Sequence, residues 1–223
     1  NASRFIMMNL GDEKVTKADP GDLRAEDKWI LSRVNSLAKE VTANMDSFEL
    51  GIAVQKIYDF IWDEFCDWYI EMVKPRLWDK EDASRTAALW TLKQVLINAL
   101  KMLHPYMPFL TEEIFCNLSG EESIMISSWP EYQAEWNFAE EEEAVGIIKE
   151  AVRGIRGVRT DMNVPNSKKA TVFVVSESPK VQKIFTEGKR FFAALGFASE
   201  VVVQKDKTGI DENAVSALIP EAA

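Results

Sequence analysis

Along residues 26–45 the apolar side chains Ile30, Val34, Leu37, Val41 and Met45 return every three or four positions. That is the period of a helix burying one stripe. Asp46 is in place to cap the next helix, with Glu49 three residues on as the reciprocal acceptor of a capping box. This helix is predicted to run to Lys74 with a seam of Val54, Tyr58, Ile61, Phe65, Trp68 and Met72, and to stop at Pro75. A third helix is predicted over residues 81–103, with Leu89, Leu92, Leu96, Ala99 and Leu103 in register, ended by His104-Pro105. Pro108 opens a short fourth through Leu118, because proline is tolerated in a first turn. Residues 1–10 read as the end of a helix and residues 11–21 as a loop. Asn137 is placed to cap a later helix whose first turn holds Glu140 to Glu143, where acids favour the positive end of the helix dipole.

Long helices with one apolar stripe each bury those stripes against one another, which predicts an antiparallel bundle. The period then changes. Residues 169–176 (KATVFVVS) and 199–204 (SEVVVQ) are β-branched strand runs, a helical stretch over 179–195 separates them, and 215–219 is another short strand candidate. Asn163, Pro165, Asn166 and Ser167 mark a linker. The expected fold is mainly α: a helix bundle over 1–163 and a small α/β unit over 164–223.

Charge alters this picture locally. The chain carries −10 overall, which argues against broad nucleic-acid binding. Residues 149–190, however, hold ten Lys and Arg against four acids, a balance of +6 that leaves −16 on the remainder. Such asymmetry suits either RNA contact over a limited footprint or internal pairing of the two regions. No apolar run approaches the ~20 residues of a membrane span, and Asn1-Ala2-Ser3-Arg4 is no secretory signal, so no membrane partner and a cytoplasmic location are expected. Cys66 and Cys116 lack metal-ligand spacing and are expected to be buried free thiols, with no metal site.

Candidate chemistry is sparse. There is no glycine-rich phosphate loop, nucleophile elbow or HExxH, so no catalytic residue and no bound cofactor are expected in this chain. His104, at a helix end before proline, is expected to serve structure. Asp59, Asp63, Asp67 and Glu71 recur every fourth residue; such a row repels itself and must meet basic groups or face water. Unpaired RNA bases are read by stacking on planar groups beside basic residues that hold phosphates. Two places offer that combination: Tyr69 and Ile70 followed by Lys74 and Arg76, and Asn1, Arg4, Phe5 and Asn9 at helical spacing. Trp68 and Phe5 also fit the core, the ordinary fate of a single aromatic. Lys149, Arg153, Arg156 and Arg159 form a basic band that can meet phosphate or acids of the bundle.

The block Ile61-Trp62-Asp63-Glu64-Phe65-Cys66-Asp67-Trp68-Tyr69-Ile70-Glu71, with Lys74-Pro75-Arg76-Leu77, resembles the helical anticodon-binding region of valyl-tRNA synthetases, class I aminoacyl-tRNA synthetases. Asn1-Ala2-Ser3-Arg4-Phe5, Asp27-Lys28-Trp29-Ile30-Leu31-Ser32-Arg33, the segment Leu103-His104-Pro105-Tyr106-Met107-Pro108-Phe109-Leu110-Thr111-Glu112-Glu113, and Trp129-Pro130 extend the likeness in the same order. The resemblance implies a tRNA partner specific for valine, with Phe5 and Ile70 near the anticodon. It also implies catalytic and editing domains upstream that use ATP and Mg, a coiled-coil arm beyond the end of this chain, and a monomer. His104-Pro105-Tyr106-Met107 is not the HIGH element and no KMSKS loop is present, so this chain alone is expected to be non-catalytic. Isoleucyl and leucyl enzymes have similar bundles, and an acidic helical protein-interaction module is the alternative from another class.

Overall fold

A computed structural model describes residues 1–11, 13 and 15–219, and the contacts divide the chain into two units between Glu142 and Glu143. The first unit holds α1 (Ala2–Leu10), α2 (Ala25–Asp46), α3 (Leu50–Asp59), a π-helical segment (Phe60–Ile70) that continues directly into α4 (Glu71–Trp78), α5 (Arg85–Leu103) and α6 (Pro108–Ser119). Helix α2 packs against α3 and α5, while α1, α4 and α6 each pack on α5. The expected stripes of α2 and α5 are buried at Ile30, Val34, Leu37, Val41, Leu89, Leu92, Leu96 and Ala99; only their last members, Met45 and Leu103, are half-buried.

The long helix after α2 departs from its expected seam. Buried positions are Ala53, Ile57 and Phe60 in the first half, then Phe65, Trp68, Tyr69, Ile70 and Met72 in the second. Tyr58 is exposed and Ile61 half-buried instead. A π-helix closes its turns at i to i+5 rather than i+4, so it shifts the phase of the stripe partway along. Phe60 and Phe65, five apart, stack with centroids 6.5 Å apart, and Phe65 stacks on Tyr69 at 6.1 Å. The acidic row turns to water at Asp59, Asp63 and Asp67, and Glu71 pairs with Lys74. Glu64, outside that row, reaches Arg33 of α2 at 2.9 Å.

Other boundaries move for local reasons. Asp46 is the last residue of α2 rather than a cap. The turn to α3 is closed by Asn44, whose carbonyl accepts the Glu49 N–H at 2.8 Å, and Phe48 takes a left-handed φ of 59°. Pro75 lies inside α4 instead of ending it. Helix α5 starts at Arg85, four residues late, because Asp82 accepts both the Ser84 N–H and its hydroxyl, at 2.8 and 2.6 Å, and so closes a loop there. His104 serves structure as expected: Nδ1 lies 2.7 Å from the Thr111 hydroxyl in the first turn of α6. Cys66 and Cys116 are free but half-buried rather than buried, and burial, reinforced by Asp67, pushes the Cys66 thiol up.

Helix α7 (Ala139–Asp161) begins in the first unit, where Glu141 pairs with Lys28 at 3.2 Å and Glu142 lies 3.6 Å from Arg33. From Glu143 onward it forms the second unit with β1 (Ala170–Val175), α8 (Pro179–Glu187), α9 (Lys189–Leu195) and β2 (Ala198–Gln204). The strands pair in parallel, Val172 opposite Val201 and Val174 opposite Val203. Parallel strands need a crossover, which α8 and α9 supply. The predicted single helix is two because Gly188 separates them. A Cβ on Gly188 would lie 2.6 Å from Cδ1 of Ile148 and 3.0 Å from the Ile184 carbonyl, so a larger residue must push the Ile148 side chain of α7 aside. Gly188→Ala is therefore expected to lower stability by about 1–3 kcal/mol through overpacking, measured by urea titration of the second unit's transition. No strand forms over 215–218; Ile219 alone has bridge pairing. The sequence-based boundary at 163/164 remains an assignment from the change of period, whereas the contacts divide within α7.

Candidate nucleic-acid interface

The two segments singled out in the sequence meet in space. Phe5 of α1 is half-buried, and the ammonium of Lys74 on α4 sits over its ring, 5.8 Å from the centroid. Lys74 is held from the other side by Glu71, one turn back. Asn1 and Arg4 are exposed on α1 beside Phe5. Asn9 is half-buried and spends its side-chain amide on the Phe5 carbonyl at 2.8 Å, while its own carbonyl lies 3.5 Å from Arg85. Arg85 in turn pairs with Glu13 at 2.8 Å, so α1 is tied to the start of α5.

Three of the expected contact residues are inside the first unit. Ile70 is 6% exposed and Tyr69 fully buried. Tyr69 donates its hydroxyl to Asp27 at 2.7 Å, and burial followed by the Asp27 carboxylate pushes its ionisation well above the ordinary range. Arg76 is also buried and directs all five N–H donors inward. Nε bonds the Ser84 hydroxyl at 3.0 Å; Nη1 bonds Glu26 at 2.8 Å and Asp27 at 2.9 Å; Nη2 bonds Asp27 and the Ser84 carbonyl, each at 2.8 Å. Burial works against its charge, but Asp27 and then Glu26 more than offset that and hold the guanidinium above its usual value. Such a group has nothing left to offer a phosphate.

In the second unit Arg153 and Arg156 are exposed on α7, and Arg156 donates Nε to the Leu195 carbonyl at 2.8 Å. Arg159, the fourth of the band, is buried against the ring of Phe197 and bonds the carbonyls of Pro165 and Lys168. The band is thus split between solvent and a loop lock.

Sequence reasoning passed over Tyr58 and Trp62. Both are 57% exposed, one turn apart, and their rings stack 5° from parallel. Their i,i+4 spacing was the available signal, and the assumption of a single α-period seam placed Tyr58 in the core. At the end of the bundle formed by the α2–α3 and α5–α6 turns, Phe48 and Phe109 are 88% and 90% exposed. The Tyr106 hydroxyl joins these turns through the Leu50 carbonyl at 2.9 Å.

A family model described as the anticodon-binding domain of tRNA ligase matches residues 27–174. Among full-length relatives, a valine–tRNA ligase of Clostridium acetobutylicum is 47% identical over 220 residues, covering 98% of this chain and 25% of its own length. A valine–tRNA ligase of Clostridium perfringens is 46% identical over 98% of the chain, and one of Bacillus cereus 36% identical over all of it, each again with 25% of the relative covered. The chain therefore spans about a quarter of the length of the curated relatives it matches.

Proposed function

The chain belongs to the family of anticodon-binding domains of tRNA ligases, and on that premise we propose that its first unit binds the anticodon arm of a valine tRNA. The observation that carries this reading is the placement of Phe5 under Lys74, flanked by exposed Arg4 and Asn1. A ring supplies a stacking face, a neighbouring cation supplies phosphate contact, and the amide and guanidinium can reach base edges. Arg76, Tyr69 and Ile70 support this surface from beneath. Arg153 and Arg156 are a secondary, phosphate-only candidate.

The longer protein would esterify valine to its tRNA, with ATP and Mg held in upstream catalytic domains and editing done by a further one. This chain has no phosphate-cradling loop, and its described residues contain no group of three or more His, Cys, Asp or Glu placed to hold a metal. Its residues bind and orient the RNA. No helix of the described residues is long and apolar enough to cross a membrane.

The test is fluorescence anisotropy with anticodon stem-loops at several salt concentrations. Binding of the valine stem-loop should weaken steeply with salt, and Lys74→Ala should lower the slope of log K against log salt by about 1 for every tRNA tried. Phe5→Ala should instead reduce the preference for the valine anticodon over a swapped one. Binding indifferent to salt and anticodon, or none at low salt to full-length valine tRNA, refutes the reading. Valine-dependent ATP–pyrophosphate exchange by the purified chain would refute the non-catalytic role. The exposed apolar end at Phe48 and Phe109 favours a second reading, docking of protein; it gains weight if RNA binding is absent.

A further inference from the structure

Helix α4 is weak where it matters most for RNA contact. It has eight residues, follows an eleven-residue π segment, and contains Pro75, which cannot donate the N–H that an α-helix would give to the Glu71 carbonyl. Lys74 sits immediately before that proline. Lys74 rests over the Phe5 ring of another helix and pairs with Glu71 of its own, so whether its ammonium meets that ring depends on where α4 lies.

Arg76, two residues on, faces the opposite way and adds polar attachments to the apolar packing of Met72, Val73 and Leu77. Its five donors join Glu26 and Asp27 in the first turn of α2 to Ser84 at the entry of α5. The acceptors are themselves fixed. Asp27 also accepts the Tyr69 hydroxyl at the end of the π segment and the Arg24 backbone N–H at 3.0 Å. Arg24 pairs with Asp82 at 3.0 Å, and Asp82 orients Ser84. The network thus closes on itself around α4, and a rigid guanidinium fork is the side chain that can serve three acceptor residues at once.

We propose that Arg76 is a positioning residue for RNA: by hooking α4 to α2 and to the entry of α5 it holds Lys74 against Phe5 in the geometry that meets a phosphate. The inference rests on the anticodon-arm reading above, but one of its consequences needs no RNA.

That consequence is spectroscopic. In the 223-residue chain the Lys74 ε-methylene resonance should be displaced upfield by the Phe5 ring current, and Phe5→Leu should remove the displacement. Arg76→Lys keeps the charge but has three donors on a flexible stem instead of the five-donor fork, and the displacement should largely collapse. Ser84→Ala, which removes one acceptor and should fold in any case, should reduce it in part. Retention of the full displacement in both variants overturns the proposal. On the RNA side, Arg76→Lys should weaken stem-loop binding several-fold and lower the salt slope by about 1, matching Lys74→Ala. The double variant should lose no more than either single one. A further drop of affinity and slope in the Lys74→Ala background would mean that Arg76 touches RNA itself, which also overturns positioning. Should the wild-type chain fail to bind RNA, the anticodon reading falls, and the lysine resonance still decides whether Arg76 sets the place of Lys74.

Discussion

Trp68→Ala should lower the unfolding free energy of the first unit by about 3–5 kcal/mol, read from the midpoint of a urea titration followed by far-UV circular dichroism. The indole is 5% exposed in the π segment, and Phe65, Tyr69 and Met72 around it in sequence are buried as well. Removing it deletes apolar surface and leaves a hole that helices on either side cannot close without breaking their own packing. Against a typical total of about 5–15 kcal/mol this is a large fraction. A loss below about 1 kcal/mol accompanied by impaired stem-loop binding would instead place the ring at the RNA surface.

Arg76→Ala should cost a similar amount, about 3–5 kcal/mol, for a different reason. Truncation leaves the carboxylates of Glu26 and Asp27, both fully buried, without their cation, and strips Ser84 of two hydrogen bonds. The penalty is the desolvation of charge left uncompensated, which exceeds the net worth of the pair itself. The diagnostic is the carboxylates themselves: in a background carrying Glu26→Gln and Asp27→Asn, Arg76→Ala should cost much less. A loss of the same size in that background would show that packing, rather than buried charge, accounts for it.

The seams of α2 and α5 were legible because both helices keep one period and use aliphatic residues, for which burial is the default. The two strand runs were legible from β-branched composition, and Phe5 and Lys74, singled out as an aromatic and a cation near helix ends, do meet in space. Tyr58 was misplaced because a single period was carried through a helix whose winding changes at Phe60. Arg76 was taken for a phosphate contact because its charge is visible in sequence, while the carboxylates that claim it stand about fifty residues earlier. Pro75 read as a stop because its lost hydrogen bond is local, whereas the burial of Met72, Val73, Arg76 and Leu77 that accompanies it within α4 is set by distant segments.

Period and composition by themselves determined that this chain makes a helix bundle followed by a small α/β unit, since a stripe of apolar side chains can leave water only against another stripe. They also determined that any RNA footprint must be confined, since −10 overall repels phosphate except where cations gather. Tertiary structure alone decided which polar side chains face the solvent. Lys74 and Arg76 are two residues apart with the same charge, yet one rests half-buried over the Phe5 ring of α1 and the other is sealed among carboxylates. The fate of a charge depends on partners brought from distant segments, and no local pattern carries that information.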